Sequence, residues 1–271
     1  METHEIAALI YNRLLEDEDK IREQYQNTQN SIGYFFVDNL LPIDLALKIN
    51  EAFPVKEDMV LKKSMREYKY VAAQMDKYDS LLEKVIFAFQ DKRIVSLIGK
   101  ICDIQNLEPD ENLYAGGISL MAESNFLNPH LDNSHDKDRD KWRVLNLLYY
   151  VTPNWEDENG GHLEIWPTGL KGEQVTLYSR FNRLAVMTTH HNSWHSVSPV
   201  VVDNYRKCVS NYYFSKEALL PKDTFHVTSF RARPGQKVKN FILTIDSSLR
   251  MGIRKVFKKG VKENPHVYKK K

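Results

Sequence analysis

The sequence has only two cysteines, Cys102 and Cys208, in 271 residues. Two cysteines cannot form a disulfide framework, and a chain of this length buries enough apolar surface to fold without one. No apolar run approaches the ~20 residues that a membrane-spanning helix needs. The N-terminus is acidic and amphipathic, which is not the pattern of a secretory signal. We therefore expect a cytoplasmic protein.

The chain also lacks a large net charge, since 38 basic and 36 acidic residues leave +2. This balance hides a basic C-terminal segment. Residues 231–271 contain 13 Lys or Arg against Asp246 and Glu263, which is a net +11 and leaves about −9 for the rest. An apolar face at helical spacing accompanies the charge, and it consists of Phe241, Ile242, Ile245, Leu249 and Ile253.

Three interpretations of this basic segment remain open. In the first, the helix packs on the core and its basic face is exposed to solvent. In the second, it binds an acidic membrane surface, and in the third, it attracts an anionic substrate such as a phosphorylated carrier or an acidic glycan. No nucleic-acid-binding motif accompanies the charge.

No repeat, low-complexity linker or domain boundary divides the sequence, so we expect one domain over residues 1–271. Helical periodicity occupies residues 4–27, with Ile6, Ile10, Leu14 and Leu15 on the buried side, a segment that follows Pro42, and residues 80–103. A short strand is predicted at residues 33–37 (GYFFV), inside an otherwise helical part of residues 1–109.

Short apolar or alternating segments follow Pro109, separated by turn residues, until about residue 215. Their spacing is typical of an antiparallel jelly roll, also called a double-stranded β-helix. Helical periodicity returns in a C-terminal extension at about 235–271. The predicted fold is thus a mixed one, with a jelly-roll core at about 110–215 and helices packed at both ends.

The clearest chemical motif is the H-x-D pair His130 and Asp132. Residues two apart on an extended segment point to the same face, so both side chains reach one metal ion. His195, 65 residues further on at the start of a later β-like segment, is the candidate third ligand. Two histidines and one carboxylate form the facial triad of non-haem Fe(II) oxygenases, which leaves coordination positions open.

The spacing of histidines leaves alternatives open. H-x-D alone is a weak signal, and His190 or His191 is an alternative to His195 by spacing. His135 is either a fourth ligand or a loop residue that contacts substrate.

Basic and polar residues near the triad suggest how a cosubstrate is held. Arg206 begins a strand 11 residues after His195, where a buried guanidinium is able to grip a dicarboxylate with two parallel hydrogen bonds. Asn146 and Tyr150 share one face of the segment VLNLLYYV, while Tyr149 takes the other. Arg143, at the start of that segment, lies either at the pocket mouth or on the surface.

These residues stand in a context that resembles the 2-oxoglutarate/Fe(II)-dependent dioxygenases, in their prolyl-4-hydroxylase-like branch. The segment RVLNLLYYVTPNWEDENGGHLEIWP is similar to the core of that branch, and NRLAVMTTHHNSWHSVSPV is similar to the stretch around its distal histidine. The N-terminal segment SIGYFFVDNLLPIDLALKINEAF also resembles the branch, so the likeness covers roughly residues 31–215.

The resemblance implies a role for each matching position. His130, Asp132 and His195 match the iron ligands, Arg206 matches the residue that pairs with the distal carboxylate of 2-oxoglutarate, and Tyr150 matches a tyrosine that bonds the same carboxylate. We group Asn146 with these cofactor-binding residues. Fe(II) is then the cofactor, 2-oxoglutarate and O₂ are cosubstrates, and ascorbate is an optional reductant.

The reaction that the resemblance implies is hydroxylation of a substrate coupled to oxidative decarboxylation of 2-oxoglutarate to succinate. Asp132 is a carboxylate, whereas related halogenases lack one there, so halogenation is disfavoured. One departure is Leu120 and Met121, which stand where relatives often carry a tyrosine.

The primary substrate stays open between a protein side chain such as proline, a glycan and a small metabolite. A non-catalytic, metal-binding β-barrel that captures a ligand is the alternative class. A zinc hydrolase is disfavoured because the chain has no H-E-x-x-H motif.

Overall fold

The computed structural model describes residues 1–256 and 268–269. Within these ranges the α-helices are α1 (Thr3–Glu16), α2 (Glu18–Gln26), α3 (Ile43–Glu51), α4 (Ser80–Ala88), α5 (Lys92–Cys102) and α6 (Lys237–Val256). The strands are β1 (Tyr34–Val37), β2 (Val60–Lys63), β3 (Glu67–Ala72), β4 (Glu108–Pro109), β5 (Gly117–Met121), β6 (Phe126–Leu131), β7 (Trp142–Tyr150), β8 (Leu163–Ile165), β9 (Val175–Leu177), β10 (Arg183–Thr188), β11 (His195–Val197), β12 (Arg206–Ser215) and β13 (Ser229–Phe230).

The strands form one curled antiparallel sheet whose order is β1-β10-β7-β12-β5-β3-β6-β11-β8-β9. The strands β10, β7, β12 and β5 make one wall, and β6, β11, β8 and β9 make the other. Strand β3 pairs with both β5 and β6 and joins the walls along one edge. Each wall takes strands that are distant in sequence, as a jelly roll requires. The predicted jelly roll with packed helices is therefore confirmed.

The alternation along β7 decides which side chains face the inside of the roll. Leu145, Leu147 and Tyr149 belong to the core that the N-terminal helices cover. Asn146 and Leu148 face the other way and line an internal cavity. The expected separation of Tyr149 from the face of Asn146 is thus confirmed, since successive strand residues point to opposite sides.

The helical N-terminal region differs from the sequence prediction in two respects. The helix expected at 4–27 is two helices that meet at Asp17, and Leu15 is 46% exposed, so its predicted burial is wrong. The helix expected at 80–103 is likewise divided, because Asp91 caps a new helix by accepting a hydrogen bond from the backbone N–H of Arg93.

A hairpin of β2 and β3 occupies part of the region that the sequence predicts as helical. Its residues are rich in Lys and Tyr and carry no clear alternation between polar and apolar positions. The hairpin extends the sheet at the edge next to β5 and β6, and so it contributes to the wall of the site described below.

Helix α6 confirms the helical periodicity after residue 235. It packs on the roll through Leu243 and Ser247, whereas Phe241 and Leu249 are 67% and 63% exposed. The face of α6 that packs on the roll is therefore not the face that carries most of its apolar side chains. Among the described residues, no helix combines the length and the apolar character that crossing a bilayer demands.

Candidate functional site

The pairing of β6 with β11 brings the two distant histidines together. His130 and His195 are direct partners in this antiparallel pair, and their ring centroids lie 4.1 Å apart. Asp132 follows the end of β6 and turns its carboxylate toward both rings. Its oxygens lie 3.5 Å from His130 Nε2 and 3.6 Å from His195 Nε2. One ligand atom from each of the three residues falls within 4.8 Å of the others.

Both imidazole rings are oriented by a backbone carbonyl two residues earlier. His130 Nδ1 lies 3.0 Å from the carbonyl oxygen of Asn128, and His195 Nδ1 lies 2.9 Å from that of Ser193. A carbonyl oxygen only accepts, so Nδ1 carries the proton in each ring and Nε2 keeps its lone pair. Nε2 is the atom that faces Asp132, which is the arrangement of a metal-binding histidine.

The charges and the burial around the triad favour an ionised Asp132 and a neutral His195. Burial opposes ionisation of Asp132, but Arg143, at 3.4 Å, and both histidines hold its pKa well below the ordinary value. Burial, with the charge of His130 second, lowers the pKa of His195 to about 4. At neutral pH Asp132 is therefore a carboxylate and His195 a lone-pair donor. With His130 beside them they make a set that suits a divalent transition-metal ion.

The other histidines that spacing alone allowed as ligands are held elsewhere. His190 Nε2 lies 3.0 Å from the carbonyl oxygen of Ser31, and His190 Nδ1 accepts from the backbone N–H of Asn192. His191 Nδ1 lies 2.6 Å from Asp223 Oδ1. These residues form a second group with suitable spacing for a cation, but both nitrogens of His190, Nδ1 of His191 and both carboxylate oxygens of Asp223 already have hydrogen-bond partners. Only His195 of the three joins Asp132.

An inner cavity of about 110 Å³ runs from the triad into the roll. The inward side chains of β12 form one side of it, beginning with Arg206 and continuing with Cys208, Ser210 and Tyr212. Arg206 is 4% exposed, and its Nε is buried without a hydrogen-bond partner among the described residues. A buried guanidinium with an unused donor stabilises an anion placed opposite it. The inner cavity is thus suited to a small acid that reaches the metal.

Glycine at the turn before β8 makes room for this arginine. Gly161 has a φ of +68°, and a Cβ atom built on it meets Arg206 Cδ at 3.0 Å. The absence of a side chain at Gly161 therefore leaves space for the Arg206 side chain beside this turn.

Asn146 and Tyr150 occupy different positions relative to the triad. Asn146 lines the inner cavity, and its Nδ2 donates to Asp132 Oδ2 at 2.7 Å. Tyr150 does not line the cavity. Its ring lies 5.3 Å from the Arg206 guanidinium, and its hydroxyl has no hydrogen-bond partner among the described residues. Asn146 thus orients the metal-facing carboxylate, and Tyr150 packs against the arginine.

An outer cavity of about 560 Å³ opens on the other side of the triad. It shares His130 and Asp132 with the inner cavity, so the triad lies between the two cavities. His135 and Arg143 line the outer cavity. The surface alternative for Arg143 is wrong, since the residue is 5% exposed.

Sequence reasoning missed two lysines of this site, Lys62 and Lys69, which reach the outer cavity from the β2–β3 hairpin. Lys69 lines the inner cavity as well. Lysines are frequent in this part of the sequence. Only the pairing of β3 with β5 and β6 shows that Lys62 and Lys69 are the ones that reach the cavity.

Comparisons with known proteins agree with this architecture. Residues 116–215 match the model of the 2OG-Fe(II) oxygenase superfamily, so this part of the chain is a domain of that superfamily. This match and the fold are those of Fe(II)- and 2-oxoglutarate-dependent dioxygenases, whose second cosubstrate is O₂. No curated protein matches its sequence.

Solved structures show the same fold at low sequence identity. A prolyl-4-hydroxylase from Pseudomonas putida is 15% identical, with a TM-score of 0.52 over 71% of this chain and 97% of the other. A prolyl 4-hydroxylase from Phytophthora capsici is 13% identical, with a TM-score of 0.57 over 93% and 78%. The epimerase SnoN of nogalamycin biosynthesis, also α-ketoglutarate dependent, is 16% identical, with a TM-score of 0.53 over 83% and 88%. These likenesses concern the fold alone.

Proposed function

We propose that the protein is a hydroxylase whose Fe(II) is held by His130, Asp132 and His195. The observation that carries this proposal is the position of the three ligand atoms, which lie within 4.8 Å of one another between two cavities. Iron with 2-oxoglutarate supplies the oxidation of a substrate C–H bond by O₂, while the cosubstrate is decarboxylated to succinate. The substrate is a protein side chain such as proline, a glycan or a small metabolite.

The protein's own side chains have distinct tasks in this proposal. Arg206 binds the distal carboxylate of 2-oxoglutarate at the closed end of the inner cavity, with Tyr150 packed against its guanidinium. Asn146 and Arg143 both contact Oδ2 of Asp132, and this leaves Oδ1 for the metal. A fixed carboxylate preserves the open face of the triad, where cosubstrate and O₂ have to meet.

The presence of Asp132 supports hydroxylation over halogenation, because a carboxylate occupies the position that a halide would need. Hydroxylation also agrees with the outer cavity, which brings a second molecule to the open side of the triad.

Anaerobic titration with Fe(II) and then 2-oxoglutarate tests the site. We expect a weak visible charge-transfer band from bound cosubstrate, and succinate formation once O₂ is admitted. Asp132→Ala should abolish both, whereas the exposed Asp44→Ala should retain them. Arg206→Gln should raise the KM for 2-oxoglutarate by about thirtyfold or more, because it removes a buried carboxylate partner.

Two results would contradict this proposal: full succinate formation in Asp132→Ala, or wild-type protein that binds neither Fe(II) nor 2-oxoglutarate. Hydroxylation itself is tested by incubating cell extracts with wild-type or Asp132→Ala enzyme. A product heavier by one oxygen atom should appear only with the wild type.

A further inference from the structure

The wall of the outer cavity carries an excess of positive charge. Six cationic side chains line it, and the carboxylates among its lining residues are those of Glu67 and Asp132. The six cations are Lys62, Arg66, Lys69, Arg143, Arg250 and Arg254.

Some of these cations are neutralised by neighbouring carboxylates. Arg66 and Arg250 both pair with Asp246, and Lys69 Nζ lies 3.1 Å from Glu67. Lys62 and Arg254 have no ion pair among the described residues, whose salt bridges involve neither of them. The cavity therefore keeps unneutralised positive charge beside the metal position.

The position of Lys62 is unfavourable for folding alone. Lys62 and Lys69 are direct partners across the β2–β3 pair, and like charges directly opposite each other destabilise a sheet. Burial, with the charge of Lys69 second, lowers the pKa of Lys62. An anion bound in the cavity would relieve this repulsion, since it would face both ammonium groups.

Arg143 provides a second reason to expect an anion. It is 5% exposed and lies over the Tyr212 ring, with 4.4 Å from its guanidinium carbon to the ring centroid. Its Nε is buried without a hydrogen-bond partner among the described residues. Its one ion pair there, at 3.4 Å, is with Asp132, whose charge a bound metal ion also uses. Arg143, which lines the cavity, thus keeps a buried donor that no described protein group satisfies.

His135 adds a hydrogen-bond acceptor to the same wall. Its Nδ1 lies 2.5 Å from the carbonyl oxygen of Asp136, so Nδ1 carries the proton and Nε2 has the lone pair. That Nε2 atom is buried and has no partner among the described residues. Burial, and then the charges of Arg139, Arg254 and Arg143, lower the pKa of His135 to about 4. The ring is therefore neutral at pH 7 and accepts from a hydroxyl group.

We infer that the outer cavity binds a primary substrate that carries a phosphate or carboxylate group and a neighbouring hydroxyl group. The anion is bound by Arg143, Arg254 and Lys62, and the hydroxyl donates to His135 Nε2. This inference rests on the proposed function, because it assigns the substrate class of the same site. It also gives the basic segment a local role, since α6 contributes Arg250 and Arg254 to the cavity wall.

Calorimetry on the full chain, loaded with Mn(II) and saturating 2-oxoglutarate under argon, tests the inference. The probes are glucose 6-phosphate, glucuronate and glucose, which share a hydroxylated ring and differ in charge. We expect at least one of the two anions to bind about tenfold or more tightly than glucose, and increasing NaCl to weaken that binding. The preferred anion then distinguishes a phosphate from a carboxylate substrate.

Variants locate the binding within the cavity. Arg254→Gln should weaken binding of the preferred anion by about tenfold. Lys237→Gln removes the same charge at an exposed position of α6 and should leave this binding unchanged. His135→Phe should weaken binding of the preferred sugar anion and leave that of inorganic phosphate unchanged.

The inference is overturned if glucose binds as tightly as both anions, or if Lys237→Gln weakens binding as much as Arg254→Gln. Metal and 2-oxoglutarate loading is measured first on the same sample. Failure to load contradicts the proposed function, whereas loading without a preference for anions contradicts the substrate class alone.

Discussion

At the scale of single residues, each side chain of the triad uses one polar atom for a hydrogen bond or ion pair within the protein and keeps the other for a metal ion. His130 and His195 each direct Nδ1 to the carbonyl two residues earlier, and Asp132 gives one oxygen to Asn146 and Arg143. These contacts fix tautomer and orientation before a metal arrives. The motif H-x-D identifies the ligands, but the identity of the orienting groups follows only from the pairing of strands.

Gly161 permits a prediction at the residue scale. Gly161→Ala would bring a Cβ to 3.0 Å from both Arg206 Cδ and Val200 Cγ2, at a φ of +68°. The displaced guanidinium should raise the KM for 2-oxoglutarate by about tenfold, since small misplacements weaken carboxylate binding strongly. The steady-state rate of succinate formation at increasing 2-oxoglutarate concentration measures this KM.

The matched control is Gly169→Ala, which has a similar φ of +79° but no atom within 4 Å of the added Cβ. Both variants carry the strain of a left-handed alanine, on the order of 1–2 kcal/mol. An equal change of KM in the two would show that backbone strain, not contact with Arg206, is the cause.

At the scale of elements, the β2–β3 hairpin and α6 complete the site around a jelly roll that the sequence predicts well. The hairpin supplies Lys62 and Lys69, and α6 supplies Arg250 and Arg254. Alternation and turn residues identify the core strands because those strands bury one face. The hairpin lacks that signal because its residues are mostly half-exposed and charged.

Helix α6 exposes a continuous apolar stripe, here called the α6 stripe. Its members recur at helical spacing and are 44–76% exposed, and they are Val238, Phe241, Ile242, Ile245, Leu249 and Ile253. We propose that the α6 stripe contacts an acidic membrane surface, because it lies in a segment with a net charge of +11. This proposal concerns the outer face of α6, and of the stripe residues Ile253 alone also lines the outer cavity.

Phe241→Ser with Leu249→Ser should reduce binding to vesicles that contain anionic lipid by about tenfold or more, because two large apolar side chains no longer enter the interface. Co-sedimentation measures the bound fraction. The control pair, Val55→Ser with Val201→Ser, alters apolar side chains that are 61% exposed elsewhere. Equal loss in both pairs, or no binding by the wild type, would refute the membrane proposal.

At the scale of the whole molecule, buried neutral histidines make the metal-free protein sensitive to acid. The pKa of His135 and that of His195 are lowered from 6.5 to about 4, in both cases mainly by burial. Below pH 6.5 the unfolded chain therefore binds more protons than the folded one, so the free energy of unfolding falls as pH decreases toward 4. Asp132 acts in the same direction, but only below about its ordinary value of 3.8, because its folded-state pKa is lowered too.

Urea denaturation of the metal-free protein at pH 7.5 and pH 4.5 measures this effect. We expect the free energy of unfolding to be lower at pH 4.5 by on the order of 2–3 kcal/mol for each of the two histidines. His135→Gln should reduce the difference between the two pH values, whereas the exposed His4→Gln should leave it unchanged. A wild-type protein with equal stability at both pH values would show that these rings are not held neutral.

The sequence by itself determined the features that local spacing encodes. The H-x-D pair, the alternation of β7 and the arginine at the start of β12 follow from which face a residue takes, and neighbouring residues fix that face. Together with the resemblance of residues 31–215 to the 2-oxoglutarate/Fe(II)-dependent dioxygenases, these features predicted an oxygenase core and the positions of its ligands.

The tertiary structure alone decided which distant residues meet. It selected His195 over His190 and His191, placed Arg143 beside Asp132, and turned the apolar stripe of α6 away from the roll. The physical reason is that strand register and helix docking depend on contacts between residues far apart in the chain, which sequence spacing does not encode. The charge that surrounds the outer cavity is set at that level.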